Sequence, residues 1–192
     1  MHIFNNHIIY LIGFPGTGKY TIAKEIAKKA NFKVIDNHLI NNPILSVLEI
    51  DRKTKVPSEI WKKISEVKEI VFDTILNYSA ENANFIFTNH LVEGEISSSD
   101  SYNKIVDLAV KRNSLFIPIK LICTVDELKK RIILRDRFER LKLCDEKSII
   151  KIATQYQVFQ PPHLHCFELD VSSLTPSQAT DLIISKVRDL CN

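Results

Sequence analysis

No apolar run in the 192 residues reaches the roughly 20 that a membrane-spanning helix needs. The short apolar stretch 8–12 runs into a Gly-rich turn and not into a cleavage site, so it does not read as the core of a signal peptide. No Cys-x-x-Cys pair occurs. Cys123, Cys144, Cys166 and Cys191 stand at spacings that match no zinc module. They read as reduced, structural thiols, and the expected setting is soluble and cytoplasmic. There is no internal repeat and no low-complexity tract. No stripe of interleaved aromatic and basic residues runs along the chain, which argues against a nucleic-acid partner. One cluster with metal-ligating chemistry, His163, His165 and Cys166 in a Pro-led loop, has no obvious fourth ligand.

What is present is a foldable chain, with 45% apolar residues and a net charge of only +3. The charge is unevenly spread. Between Lys129 and Lys142 seven cations and two anions give +5, so the rest of the chain carries −2. A local basic segment on a near-neutral body fits a small polyanionic ligand. Short apolar runs at 7–12, 32–36, 84–88, 115–123 and 167–171 read as buried strands. Pro118 predicts a bend or an irregular start in the fourth. Helical spacing marks 19–30, 39–50, 58–78, 146–157 and 177–190, with Pro57 and Pro176 at two entries. Residues 92–101 read as a polar loop before a helix ending near Lys111, and Thr124 or Asp126 can cap a basic helix. This alternation predicts one α/β domain over 1–192: a five-stranded parallel sheet with helices on both faces. Ligands of such sheets sit at the carboxyl ends of the strands.

The first strand ends in Gly13-Phe-Pro15-Gly16-Thr17-Gly18-Lys19-Tyr20-Thr21, and a helix follows. Strand, Gly-rich turn and helix are the context a phosphate-binding loop requires. Gly16 and Gly18 let the backbone wrap around phosphate oxygens, and the helix N-terminus adds its positive end. Lys19 reaches the outer phosphates as a point charge. One position departs from the pattern. A Ser or Thr normally follows the lysine and ligates Mg²⁺, and here it is Tyr20, whose phenol is too long to replace a short hydroxyl. Thr21 can still contact a phosphate or the metal's water shell.

On these residues the chain resembles the P-loop small-molecule and nucleoside-monophosphate kinases, the group of adenylate and shikimate kinases. Within that group it looks most like bacterial kinase-like proteins with Gly-Lys-Leu-Thr where this chain has Gly18-Lys19-Tyr20-Thr21. The resemblance spans nearly the whole chain in element order. Specific residues match at the phosphate loop, at the acidic end of the second strand and at the Arg-rich helix after the fourth. It implies an ATP-dependent phosphotransferase, using Mg²⁺, that acts on a small acceptor. Two departures narrow this. His38 stands where shikimate kinases have a second aspartate, and Thr88-Asn89-His90 replaces their Gly-rich turn, which argues against shikimate. The third strand ends without a carboxylate, so Mg²⁺ is expected to be weakly held, mainly by nucleotide phosphates and water.

Asp36, at the end of the second strand, is by this resemblance a general base or an orienter of the acceptor hydroxyl. It could equally cap the helix that follows. Asn37-His38 and Asn89-His90 end two strands that the group's sheet order makes neighbours. They are candidate acceptor-binding pairs, or a coincidence of capping residues. Arg131 and Arg135 share a helix face, and Arg137 and Arg140 share another. The resemblance makes Arg131 and Arg135 catalytic, Arg131 a nucleotide contact, Arg137 an acceptor contact, and 137–146 a short lid. The alternative is a solvated helix face with Asp136 paired to Arg140. The acceptor itself, the base preference and the oligomeric state are not legible. Nucleotide binding with little or no transfer is the alternative function, because Tyr20 breaks the metal site.

Overall fold

The computed structural model describes residues 4–48, 56–134 and 142–190. Five strands, β1 (His7–Ile12), β2 (Phe32–Asp36), β3 (Asn84–Asn89), β4 (Leu115–Ile122) and β5 (Phe167–Asp170), form one sheet. The order is β2-β3-β1-β4-β5, and every pairing is parallel. Around it lie α1 (Lys19–Ala30), α2 (Asn37–Leu45), α3 (Ser58–Tyr78), α4 (Ile96–Lys111), α5 (Val125–Ile132), α6 (Glu146–Gln155) and α7 (Pro176–Asp189). This is the five-stranded parallel sheet that the alternating pattern predicts, in a P-loop kinase-like α/β fold.

β1 explains the layering. All six of its residues are buried, as a strand covered on both faces requires. Side chains alternate across the pleat. Ile8, Tyr10 and Ile12 enter a core with Phe72 and Ile75 of α3, Tyr102 and Ile105 of α4, and Leu128 of α5. Ile9 and Leu11 enter the opposite core with Ile22 and Ile26 of α1 and Ile183 and Val187 of α7. Burying each such side chain contributes about 1.5–3 kcal/mol. A central apolar strand thus fixes both helix layers, and its carboxyl end delivers the chain to the phosphate loop.

Several boundaries differ from the sequence expectation, each for a local reason. α2 starts at Asn37 because the Asp36 side chain accepts from the His38 N–H and caps it. α4 starts at Ile96, not after residue 101. The Ser98 hydroxyl accepts from the buried Val92 N–H at 2.9 Å, so serines that look like loop composition tie a helix entry. Pro118 does not bend β4, whose register with β1 runs unbroken from Leu115 to Lys120. Pairing with β5 begins only at Ile119, so Pro118 lies before that ladder. Of the two candidate caps for α5, Thr124 holds the N-cap position. Among the described residues no helix is long and apolar enough to cross a membrane.

Candidate active site

The chain leaves β1 at Gly13, where space is the constraint. A Cβ there would sit 2.7 Å from the Leu121 carbonyl oxygen of β4 and 3.1 Å from Thr17 Oγ1. Gly16 and Gly18 have φ of 95° and 84°, the left-handed region that glycine alone enters without strain. Three of the chain's four glycines are used in these six residues. Thr17 donates its hydroxyl to the Phe14 carbonyl at 2.9 Å. Lys19 Nζ folds back across the loop and donates to the carbonyls of Gly13 at 2.7 Å and Phe14 at 2.8 Å. Gly18 caps α1 with no side chain, which leaves the first helical N–H groups open to an anion. The loop is a preformed cradle that fits nucleotide phosphates.

The same residues do not fit a directly coordinated Mg²⁺. The Tyr20 ring lies beneath two ammonium groups, Lys142 Nζ at 4.6 Å and Lys24 Nζ at 5.1 Å from its centroid. It packs against cations where a metal ligand is expected. At the end of β3, Thr88 donates to Asp36. The Asn89 amide donates to Tyr10 at 3.1 Å, and its side-chain oxygen accepts from the His90 N–H. Among the described residues no three His, Cys, Asp or Glu side chains converge to hold a metal, His163, His165 and Cys166 included.

Beside the loop opens a cleft of about 930 Å³. Pro15, Gly16, Gly18, Lys19, Tyr20 and Thr21 line one side, and Asp36, Asn37, His38, Asn89 and His90 line its floor. The structure therefore gathers both Asn-His pairs into one cavity, through the register that sets Asp36 opposite Thr88. Gly13 and Thr17 support the loop from behind and do not line this cleft.

Asp36 is 3% exposed. Oδ1 accepts from the His38 N–H at 2.9 Å and faces His38 Nδ1 at 3.2 Å, and Oδ2 accepts from Thr88 Oγ1 at 2.7 Å. Burial alone would raise its pKa, but the His38 and Thr88 hydrogen bonds and the nearby Lys142 charge outweigh it. The carboxyl is held well below the usual carboxylate range and stays ionised. Asp36 is thus a helix cap and also a fixed anion on the cleft floor.

His90 packs edge-on against Phe14 at 5.5 Å, and its Nε2 is buried with no hydrogen-bond partner among the described residues. Burial first, and the Lys19 charge second, push its pKa down to about 4. At neutral pH the ring is uncharged. A depressed folded pKa means that stability is present above the unfolded value of 6.5 and is lost as pH falls toward about 4. The slope is at most about 1.4 kcal/mol per pH unit. An NMR titration should show the His90 ring neutral down to near pH 4, and His90→Gln should flatten the stability curve over that interval. A midpoint near 6.5 would contradict this account.

The arginines are placed differently from the phosphate-loop residues. Arg131 does not line the cleft. Its Nε donates to Glu127 at 2.8 Å, and its Nη2 donates to the Val171 and Ser172 carbonyls at 3.0 and 3.1 Å. It braces α5 against the end of β5. Arg135, Arg137 and Arg140 lie outside the described residues, as does the first half of the proposed lid 137–146. Sequence reasoning counted Lys142 only within the basic segment and the lid; it is buried, lies over the Tyr20 ring and acts by its charge on Asp36. That reasoning missed the outer wall of the cleft, supplied by Trp61, Ser65 and Lys68 of α3 and Ser97, Ser101 and Lys104 of α4. Their helical spacing was readable, but a polar stripe on a helix reads equally as a solvated face.

No family model and no curated protein matches the sequence. Solved structures do. A gluconokinase from Sinorhizobium meliloti 1021 superposes with a TM-score of 0.65 at 10% identity, covering 97% of this chain and 94% of that one. A thymidylate kinase from Candida albicans gives 0.58 at 14%, covering 97% and 93%. A shikimate kinase from Aquifex aeolicus gives 0.52 at 15%, covering 96% and 98%. At these identities the likeness establishes the fold, and three differently named kinases share it.

Proposed function

We propose that this protein is an ATP-dependent phosphotransferase acting on a hydroxyl of a small molecule bound in the cleft. The observation that carries this reading is the opening of the phosphate loop directly onto a large cavity with an ionised carboxylate in its floor. Bound ATP supplies the phosphoryl group. The backbone N–H groups of residues 16–21 and the Lys19 ammonium hold the phosphates and offset charge as it spreads over the transferring oxygens. The acceptor oxygen bonds to the γ-phosphorus as its bond to the bridging oxygen breaks. ADP leaves with that electron pair, and the hydroxyl proton is released.

Asp36 orients more than it abstracts. Three donors occupy three of its roughly four lone-pair sites, leaving one for an acceptor hydroxyl, and its low proton affinity makes it a weak base. Asn37, His38, Asn89 and His90 line the same cleft and supply further polar contacts for the acceptor. Any Mg²⁺ would arrive on the nucleotide, held by phosphate and water, because the described residues offer no direct donor set. That same shortfall favours one second reading, nucleotide binding without efficient transfer. The deciding experiment is ADP release from ATP and Mg²⁺ across a panel of sugars, sugar acids, nucleosides and nucleotides. Acceptor-dependent ADP supports transfer. Nucleotide binding with no ADP from any acceptor leaves the second reading.

A further inference from the structure

The wall of the cleft opposite the phosphate loop has a charge of its own. On α3, Trp61, Ser65 and Lys68 fall at i, i+4 and i+7, and on α4, Ser97, Ser101 and Lys104 repeat that spacing, so each helix turns one polar face to the cavity. Lys104 Nζ donates to Ser65 Oγ at 3.2 Å and pairs with Glu69. Lys68 lies on the same turn of α3, close enough for the two ammonium groups to repel. Among the described residues Lys68 has no hydrogen bond and no ion pair, although it is only partly exposed. Glu69 is the one carboxylate among the described residues near both ammonium groups and is already paired with Lys104, so two like charges facing one cavity share a single counter-ion, at a free-energy cost that a bound anion would recover. Glu95 and Asp100 also line the cavity near the start of α4, and Glu95 faces Ser98.

We propose that Lys68 and Lys104 form an anion subsite, so that the acceptor is a small hydroxylated molecule bearing a carboxylate or phosphate group. The anion sits between α3 and α4 while a hydroxyl at the other end of the molecule meets Asp36 and the phosphate loop. Lys68 is the primary contact, because Lys104 is already shared with Glu69 and Ser65. Ser65 and Ser101 add hydroxyl donors, and the half-exposed Trp61 adds a flat apolar face. The subsite names the substrate class of the proposed phosphotransferase, and it rests on the reading of this cleft as the acceptor site.

Trp61 is the only tryptophan in the chain, so its fluorescence reports occupancy of the cleft without turnover. The full-length protein is titrated at constant ionic strength with matched probes, gluconate against sorbitol and glucose 6-phosphate against glucose. The pairs separate a carboxylate from a phosphate source. At least one anionic member should shift the emission at a tenfold or more lower concentration than its neutral partner. Lys68→Met should abolish that preference, Lys68→Arg should retain it, and Lys104→Met should weaken it. Affinity for an ATP analogue should stay within twofold in each. Equal responses within both pairs, no response to either anion, or a preference that survives Lys68→Met would overturn the subsite. Failure of the transfer reading shows separately, as anion binding without acceptor-dependent ADP.

Discussion

Lys19→Ala is expected to weaken binding of a non-hydrolysable ATP analogue by at least about a hundredfold and to abolish turnover, the scale on which charged transition-state contacts act. Nζ lies within 3.3 Å of three loop oxygens, those of Gly13, Phe14 and Thr17. The ammonium therefore closes the cradle before any phosphate arrives and can move from carbonyl to phosphate oxygens at small cost. Alanine removes the charge and also leaves those acceptors without their donor. Two readouts separate the effects. Loss of affinity with an unchanged melting temperature assigns Lys19 to the nucleotide. A lowered melting temperature with unchanged affinity would assign it to the loop alone, and the phosphate-binding assignment would fall.

Asp36→Asn should lower turnover by about a hundredfold, the scale of losing a positioned acid–base or orienting group, while leaving affinity for the ATP analogue nearly intact. The amide can keep much of the local geometry. Its oxygen can face His38 and its NH₂ can face Thr88, whose hydroxyl rotates to accept. What it loses is the negative charge beside Lys142. Asp36→Ala loses the cap as well, at about 1 kcal/mol for the cap plus about 1–3 kcal/mol for buried donors left unpaired. The pH dependence gives an independent check. Because the folded pKa lies below the ordinary aspartate value of 3.8, the stabilisation by Asp36 is present above that value and is lost as pH falls through the folded pKa. The acid limb of the stability curve should therefore be shallower in Asp36→Asn. Normal turnover combined with lost stability would reduce Asp36 to a helix cap.

The placement of Asp36 shows how far the sequence could be read. Its position at a strand end was legible, and so were both roles offered for it. That it accepts from His38 and Thr88 together depends on β2 and β3 being neighbours, 52 residues apart along the chain. The Asn-His pairs behave similarly. The structure brings all four residues to one cleft floor, yet each pair makes its own bonds: Asn89 turns to Tyr10 and His90 to Phe14. The Arg-rich segment was legible as charge alone. Arg131 bonds Glu127 and the Val171 and Ser172 carbonyls, and residues 135–141 lie outside the described residues.

By itself the sequence determined what depends on nearest neighbours. The apolar run of β1, the positive φ at Gly16 and Gly18, the start of α3 after Pro57 and the Thr175–Gln178 capping box of α7 are all set by residues within a few positions. These local rules place a phosphate loop at the centre of a parallel sheet. Only the tertiary structure decided what the loop faces. Whether Ser65 and Lys68 look into a cavity or into solvent depends on where α3 lies against α4, and the Lys104–Ser65 contact spans 39 positions in sequence. Pro118 sits straight in β4 because β5, arriving from residue 167, begins to pair only beyond it. Helical periodicity records which residues share a face, but the packing of distant segments decides whether that face meets core, solvent or ligand.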